Sequence, residues 1–125
     1  MQRTGELVLS ARFRLTRDDP GAIRARMADL KIRRQEKQPL NLPSAGSFFK
    51  RPAGHFAGAL IEGAGLKGLS VGGAQVSEKH AGFLINMGGA TANDFLRLME
   101  RVQASVMEKY GVPLEPEVRI VGEDA

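Results

Sequence analysis

The chain contains no cysteine, no tryptophan and a single tyrosine. Without cysteine, disulfides, zinc ribbons, thiolate nucleophiles and iron–sulfur clusters are excluded together. Six phenylalanines make up the rest of the aromatic supply, a thin provision for stacking successive nucleic-acid bases. No uncharged apolar run approaches the roughly 20 residues that cross a bilayer, and no basic–apolar–small leader opens the chain. The expectation is a cytosolic protein with no membrane partner. No internal repeat or low-complexity tail interrupts the pattern. What remains is an ordinary globular composition over 125 residues, 42% hydrophobic and 26% charged, enough for one domain with one core. Eighteen Lys and Arg against 14 Asp and Glu leave a net +4. That balance suits a nucleic acid, an acidic surface or a phosphorylated small molecule, and composition does not choose among them.

Along the chain, residues 7–15 (LVLSARFRL) alternate, with Leu7, Leu9, Ala11, Phe13 and Leu15 on one face, which predicts a half-buried strand. Asp19 as N-cap and Pro20 at the first helical position open a helix expected to run to about Arg34, with Ile23, Met27 and Leu30 as its apolar stripe. Residues 38–45 carry two prolines and read as an extended connector. Eleven of the fifteen glycines fall between Gly46 and Gly89. Through that stretch the pattern predicts a helical turn at 57–62, small strands at 69–76 and a buried strand at 83–86. Thr91 and Asp94 form a capping box ahead of a stripe of Phe95, Met99, Val102 and Val106, closed by Gly111 and Pro113. A last strand is expected from Glu115 to Val121. The order predicts an α+β fold, a two-layer domain with helices packed on a mostly antiparallel sheet.

Four patterns invite chemistry. Gly63-Ala64-Gly65-Leu66-Lys67-Gly68 matches G-x-G-x-x-G, but no strand precedes it, no helix follows it and no acid lies about 20 residues on; a turn explains it better. His55 and His80 lack any i, i+4 ligand companion, so no metal site is expected. In Pro43–Pro52 (PSAGSFFKRP), small residues let a ligand approach the backbone, Ser47 offers a hydroxyl beside two aromatics, and Lys50 and Arg51 suit a phosphate. The same run also reads as a turn into a buried strand with the cations solvated. Glu117 and Arg119 stand about 7 Å apart on one strand face, either a ligand clamp or an exposed charge pair. The exposed pair is the more frequent meaning of such spacing. The basic stretch Lys31 to Lys37 reads as a solvated helix end, with RNA contact as its rival.

Assembled, PSAGSFFKRP at 43–52, AGALIEGAGLKG at 57–68, VGGAQVSEKHAGFLIN at 71–86 and LEPEVRIVG at 114–122 resemble the C-terminal domain of the UDP-N-acetylenolpyruvoylglucosamine reductase family, in the subtype lacking an extra tyrosine loop. The likeness runs in register from about Glu6 to Gly122. It implies an NADPH-dependent, FAD-containing enzyme of peptidoglycan synthesis, in which reduced flavin delivers hydride to the enolpyruvyl group of a UDP-sugar. Ser47 matches the proton donor to the neighbouring carbon, and Glu117 matches the glutamate that assists protonation. Arg119 matches a substrate-side residue. Arg51 stands in the phosphate region, where other members carry Asn, with Lys50 beside it as a further substrate-binding candidate, and His80 stands where some carry Gln. The resemblance also implies that residues 1–125 form one domain, that the FAD-binding domain is its partner and lies outside this chain, and that neither FAD nor NADPH is held by this chain alone. The chain then reads as a fragment unable to turn over by itself. The alternative from another class is a small basic RNA-binding module using Arg33, Arg34 and Lys37; a third is a docking domain without a ligand.

Overall fold

The computed structural model describes residues 7–122. The chain divides into two units, with the boundary after Lys31, inside the first helix.

In the first unit, residues 7–19 carry no regular secondary structure, and Leu7, Leu9, Phe13 and Leu15 are exposed. The strand expected at 7–15 is absent from the described residues. Alternation specifies which side chains share a face, whereas a strand exists only as a member of a hydrogen-bonded ladder. Helix α1, Pro20–Lys37, starts where its cap dictates: Asp19 Oδ2 accepts the Ala22 N–H at 2.8 Å. Arg26 pairs with Asp18 and holds that carboxyl below its usual range, helped by the Asp19 N–H. The helix runs a turn past the expected Arg34, because Gln38 N–H still reaches the Arg34 carbonyl before Pro39 interrupts the ladder. The stripe of Ile23, Met27 and Leu30 is exposed.

The second unit carries the core. Its elements are β1 (Ser44–Ser47), α2 (Ala57–Gly63), β2 (Ser70–Val71), β3 (Ala74–Val76), β4 (Phe83–Asn86) and α3 (Ala92–Tyr110). The strands form one antiparallel sheet in the order β1-β4-β3-β2. Ile61 of α2, Val76 and Leu84 of the sheet, and Leu98, Val102 and Val106 of α3 are fully buried together. Leu98 joins the expected stripe, while Phe95 and Met99 pack at its margin. The α+β reading is therefore right: helices lie on an antiparallel sheet.

Helix α3 is bounded as its sequence requires. Thr91 Oγ1 accepts the Asp94 N–H at 3.1 Å and Asp94 Oδ2 accepts the Thr91 N–H at 2.8 Å, closing the box. That backbone bond, with the Thr91 hydroxyl, holds the Asp94 carboxyl below its usual range. Gly111 ends the helix in the left-handed region at φ 66°, where a side chain would be strained.

The expected strand at Glu115–Val121 reduces to a single bridge between Phe49 and Pro116. Pro116 has no N–H to extend a ladder, and the chain bends at Val118. The bend also removes the strand geometry that would have set Glu117 and Arg119 on one face.

Candidate active site

The site is built on an extended stretch that leaves β1 at the sheet edge. Ser44 pairs with Ile85 and Ser47 with Phe83, so three steps on β1 oppose two on β4 and one residue bulges. The bulge is accommodated at Gly46, whose φ of 82° favours glycine. Bulges turn the following side chain, here Ser47. The backbone then stays extended: Phe48 N–H donates to the Gly82 carbonyl at 2.9 Å, Lys50 N–H to Glu115 at 2.8 Å, and Glu117 N–H to Phe48 at 2.9 Å. Period-two geometry therefore divides the segment. Ser47, Phe49 and Arg51 line one cavity of about 440 Å³. Lys50 lies on the other side, its ammonium paired with the Glu115 carboxylate. Phe48 faces the core, stacked on Phe95 with ring centres 6.5 Å apart. The phenylalanines of this run are buried, and of its two cations Arg51 lines the cavity.

The opposite wall comes from α2 and the β3–β4 loop: Phe56, Ala57, Gly58, Ala59 and Glu62, then Lys79, His80, Ala81 and Gly82; Glu117 completes the lining. Buried Ser77 fixes that loop, since its Oγ accepts the backbone N–H groups of Lys79 and His80, both at 3.2 Å. His80 Nδ1 accepts the Gly82 N–H at 3.0 Å, and its ring packs edge-on against Phe83. The Arg51 guanidinium lies 3.9 Å over the Phe56 ring, which orders a side chain otherwise rich in rotamers. Lys79 donates to the Gln35 carbonyl in the last turn of α1, where the helix dipole favours a cation.

Of the residues singled out from sequence, Ser47, Arg51, His80 and Glu117 meet around this cavity; Lys50 and Arg119 are not among its lining residues. Arg119 is exposed beyond the bend at Val118. Sequence reasoning did not single out Lys79, Phe56, Glu62 or Ser77. Lys79 sits within the SEKHAGF run, but only the folded loop turns it toward the cavity. Gly63–Gly68 forms the end of α2 and a turn into β2, as the turn reading expects. No cluster of three metal-ligating side chains occurs among the described residues, and no described helix is long and apolar enough to cross a membrane.

Fold and cavity together define an α+β domain that presents an open cleft in which a hydroxyl, two carboxylates and three basic side chains converge. The family model described as "UDP-N-acetylenolpyruvoylglucosamine reductase, C-terminal domain" matches residues 38–121. The chain belongs to that family, and corresponds to its C-terminal domain. It is 59% identical over 119 residues to the UDP-N-acetylenolpyruvoylglucosamine reductase of Levilactobacillus brevis, covering 95% of this chain and 39% of that protein. It is 59% identical over 124 residues to that of Clostridium botulinum strain Hall, covering 99% and 40%. The crystal structure of the Thermus caldophilus reductase superposes with a TM-score of 0.64 at 39% identity, over 83% of this chain and 37% of that one. The chain thus spans about two fifths of the length of the relatives it matches.

Proposed function

We propose that this chain is the substrate-binding and proton-donating domain of a UDP-N-acetylenolpyruvoylglucosamine reductase, reducing the enolpyruvyl ether of a UDP-sugar to UDP-N-acetylmuramate. The observation that carries this reading is the convergence of Ser47 and Glu117 with Arg51, Lys79 and His80 on one cleft. A sugar diphosphate needs cations and an enolpyruvyl group needs a proton donor; basic side chains and a hydroxyl both line this cleft.

In this reading FAD and NADPH are held by a further domain of the enzyme, whose reduced flavin supplies hydride, and no step here is drawn through it. The exposed apolar side chains of residues 7–15, with Ile23, Met27 and Leu30, support such a partner domain, because apolar surface of this kind is covered when a partner is available.

On this chain, Ser47 Oγ–H delivers the proton to the carbon next to the site of hydride addition. Glu117 orients and assists that transfer and stabilises the enol. A serine hydroxyl is a weak acid in water, so the step depends on a site closed to solvent and on partners that act as charge develops. Interactions formed only with that developing charge lower the barrier without tightening the ground state. Arg51, ordered on Phe56, and His80 receive the diphosphate. Lys50, ion-paired with Glu115, and Arg119, exposed beyond the bend, do not line this cleft, and neither is assigned a contact with the substrate.

Calorimetric titration of the chain with the enolpyruvyl UDP-sugar, alone and with a separately supplied FAD domain, tests the assignment. Heat with the chain alone, or only with the partner present, supports it. No heat in either case, together with steeply salt-dependent binding of RNA, would overturn it in favour of the nucleic-acid alternative.

A further inference from the structure

We infer that Gly58 is a positioning residue that fixes the tautomer and direction of His80, making Nε2–H of the neutral ring a ligand donor. The inference rests on the functional reading above for the identity of the ligand, and on geometry for everything else. His80 Nδ1 accepts the Gly82 N–H at 3.0 Å. A nitrogen that accepts carries no proton, so in the neutral imidazole the hydrogen sits on Nε2. Among the described residues Nε2 makes no hydrogen bond to protein, and the half-buried ring lines the cavity.

The ring lies close against two residues that lack a Cβ. A methyl group at Gly58 would stand 3.3 Å from His80 Cε1 and equally close to the Gly82 backbone nitrogen. One at Gly82 would stand 3.0 Å from Cε1 and 3.2 Å from Nδ1. Gly58 lies in the first turn of α2, where the imidazole and the Gly82 backbone leave little room for a Cβ. Adding the methyl group displaces the ring by a few tenths of an ångström, which disturbs the 3.0 Å bond from the Gly82 N–H that selects the tautomer and sets the direction of Nε2–H. A nitrogen donor facing a phosphate oxygen is a charge-assisted bond, so its misdirection weakens binding about ten-fold or more.

The chain has two histidines, so a long-range proton–nitrogen NMR spectrum at pH 8 distinguishes them once His80→Asn removes one signal. His80 is expected as the single Nε2–H form, and Gly58→Ala is expected to give a tautomer mixture while a cooperative thermal melt shows that the chain stays folded. A protonated Nδ1 in the parent chain, or an unchanged His80 signal in Gly58→Ala, overturns the inference, and neither result depends on any ligand. Binding of UDP is then measured in a cycle of Gly58→Ala, His80→Asn and the double variant. Gly58→Ala is expected to weaken UDP about ten-fold in the parent and to have no further effect beside His80→Asn. An equal loss in both backgrounds overturns the positioning role. Should the parent chain bind no UDP while the tautomer is as stated, the ligand assignment fails and the positioning of His80 stands.

Discussion

Replacing Gly46 by alanine separates backbone strain from crowding, because a Cβ there meets nothing within 4 Å. The whole cost comes from φ of 82°, a region in which an L side chain costs about 1–2 kcal/mol. At roughly 4 °C per kcal/mol for a domain of this size, melting is expected about 4–8 °C lower. Part of the strain can be relieved by ironing out the bulge, and then Ser47 leaves the orientation that sets it in the cleft with Phe49 and Arg51. Gly65 provides the matched control, at φ 74°, also with nothing within 4 Å and not among the cavity lining residues. Thermal melts and UDP-sugar titrations of both variants are the assay. Both variants should melt lower, and only Gly46→Ala should also weaken the ligand or, in a reconstituted enzyme, slow substrate reduction. If Gly46→Ala binds and turns over like the parent, the bulge does not aim Ser47. If neither variant melts lower, the strain argument itself is wrong.

Four further outcomes follow from the same physics. Thr91→Ala removes the hydroxyl half of the capping box and should cost about 1 kcal/mol, measured by urea unfolding. Because Asp94 is held below its usual carboxylate range, its contribution is present at neutral pH and is lost as pH falls below about 4 through the lowered folded value; Asp94→Asn should flatten that acid dependence of the melting temperature. Leu98→Ala, at a fully buried position, should cost about 2–5 kcal/mol in the same unfolding experiment, whereas Lys50→Ala, in an exposed pair with Glu115, should cost under about 1 kcal/mol. Arg51→Ala should weaken UDP-sugar binding at least ten-fold in calorimetry, with Lys50→Ala several-fold milder, since only Arg51 faces the cleft.

Local, short-range signals were the legible part of this fold. Helix α3 could be drawn from Thr91, Asp94, its apolar stripe and Gly111 alone, and β4 from a short apolar run between turn residues. Both strands that failed depended on something beyond their own residues. Residues 7–15 have the alternation of a strand but no ladder among the described residues, and residues 115–121 are stopped by Pro116 and the bend at Val118. The site was legible as a set of residue types in 43–52 and at Glu117, and family resemblance attached roles to them. Its division was not, although the same period-two argument applied to Ser47, Phe49 and Arg51 would have separated Arg51 from Lys50. Lys79 and Ser77 escaped because their contribution lies in a loop turned by one buried hydroxyl, a contact with no periodicity to betray it.

The central claim, that this chain donates the proton from Ser47 in a reaction whose hydride comes from elsewhere, is tested most directly by Ser47→Ala in an enzyme reconstituted with its FAD domain. Stopped-flow measurement follows flavin reduction by NADPH and flavin reoxidation by the UDP-sugar separately. Flavin reduction should proceed at the parent rate, while reoxidation by substrate slows about 10²–10⁴-fold, the usual worth of a positioned proton donor. Equal loss in both steps, or parent-like reoxidation, would contradict it.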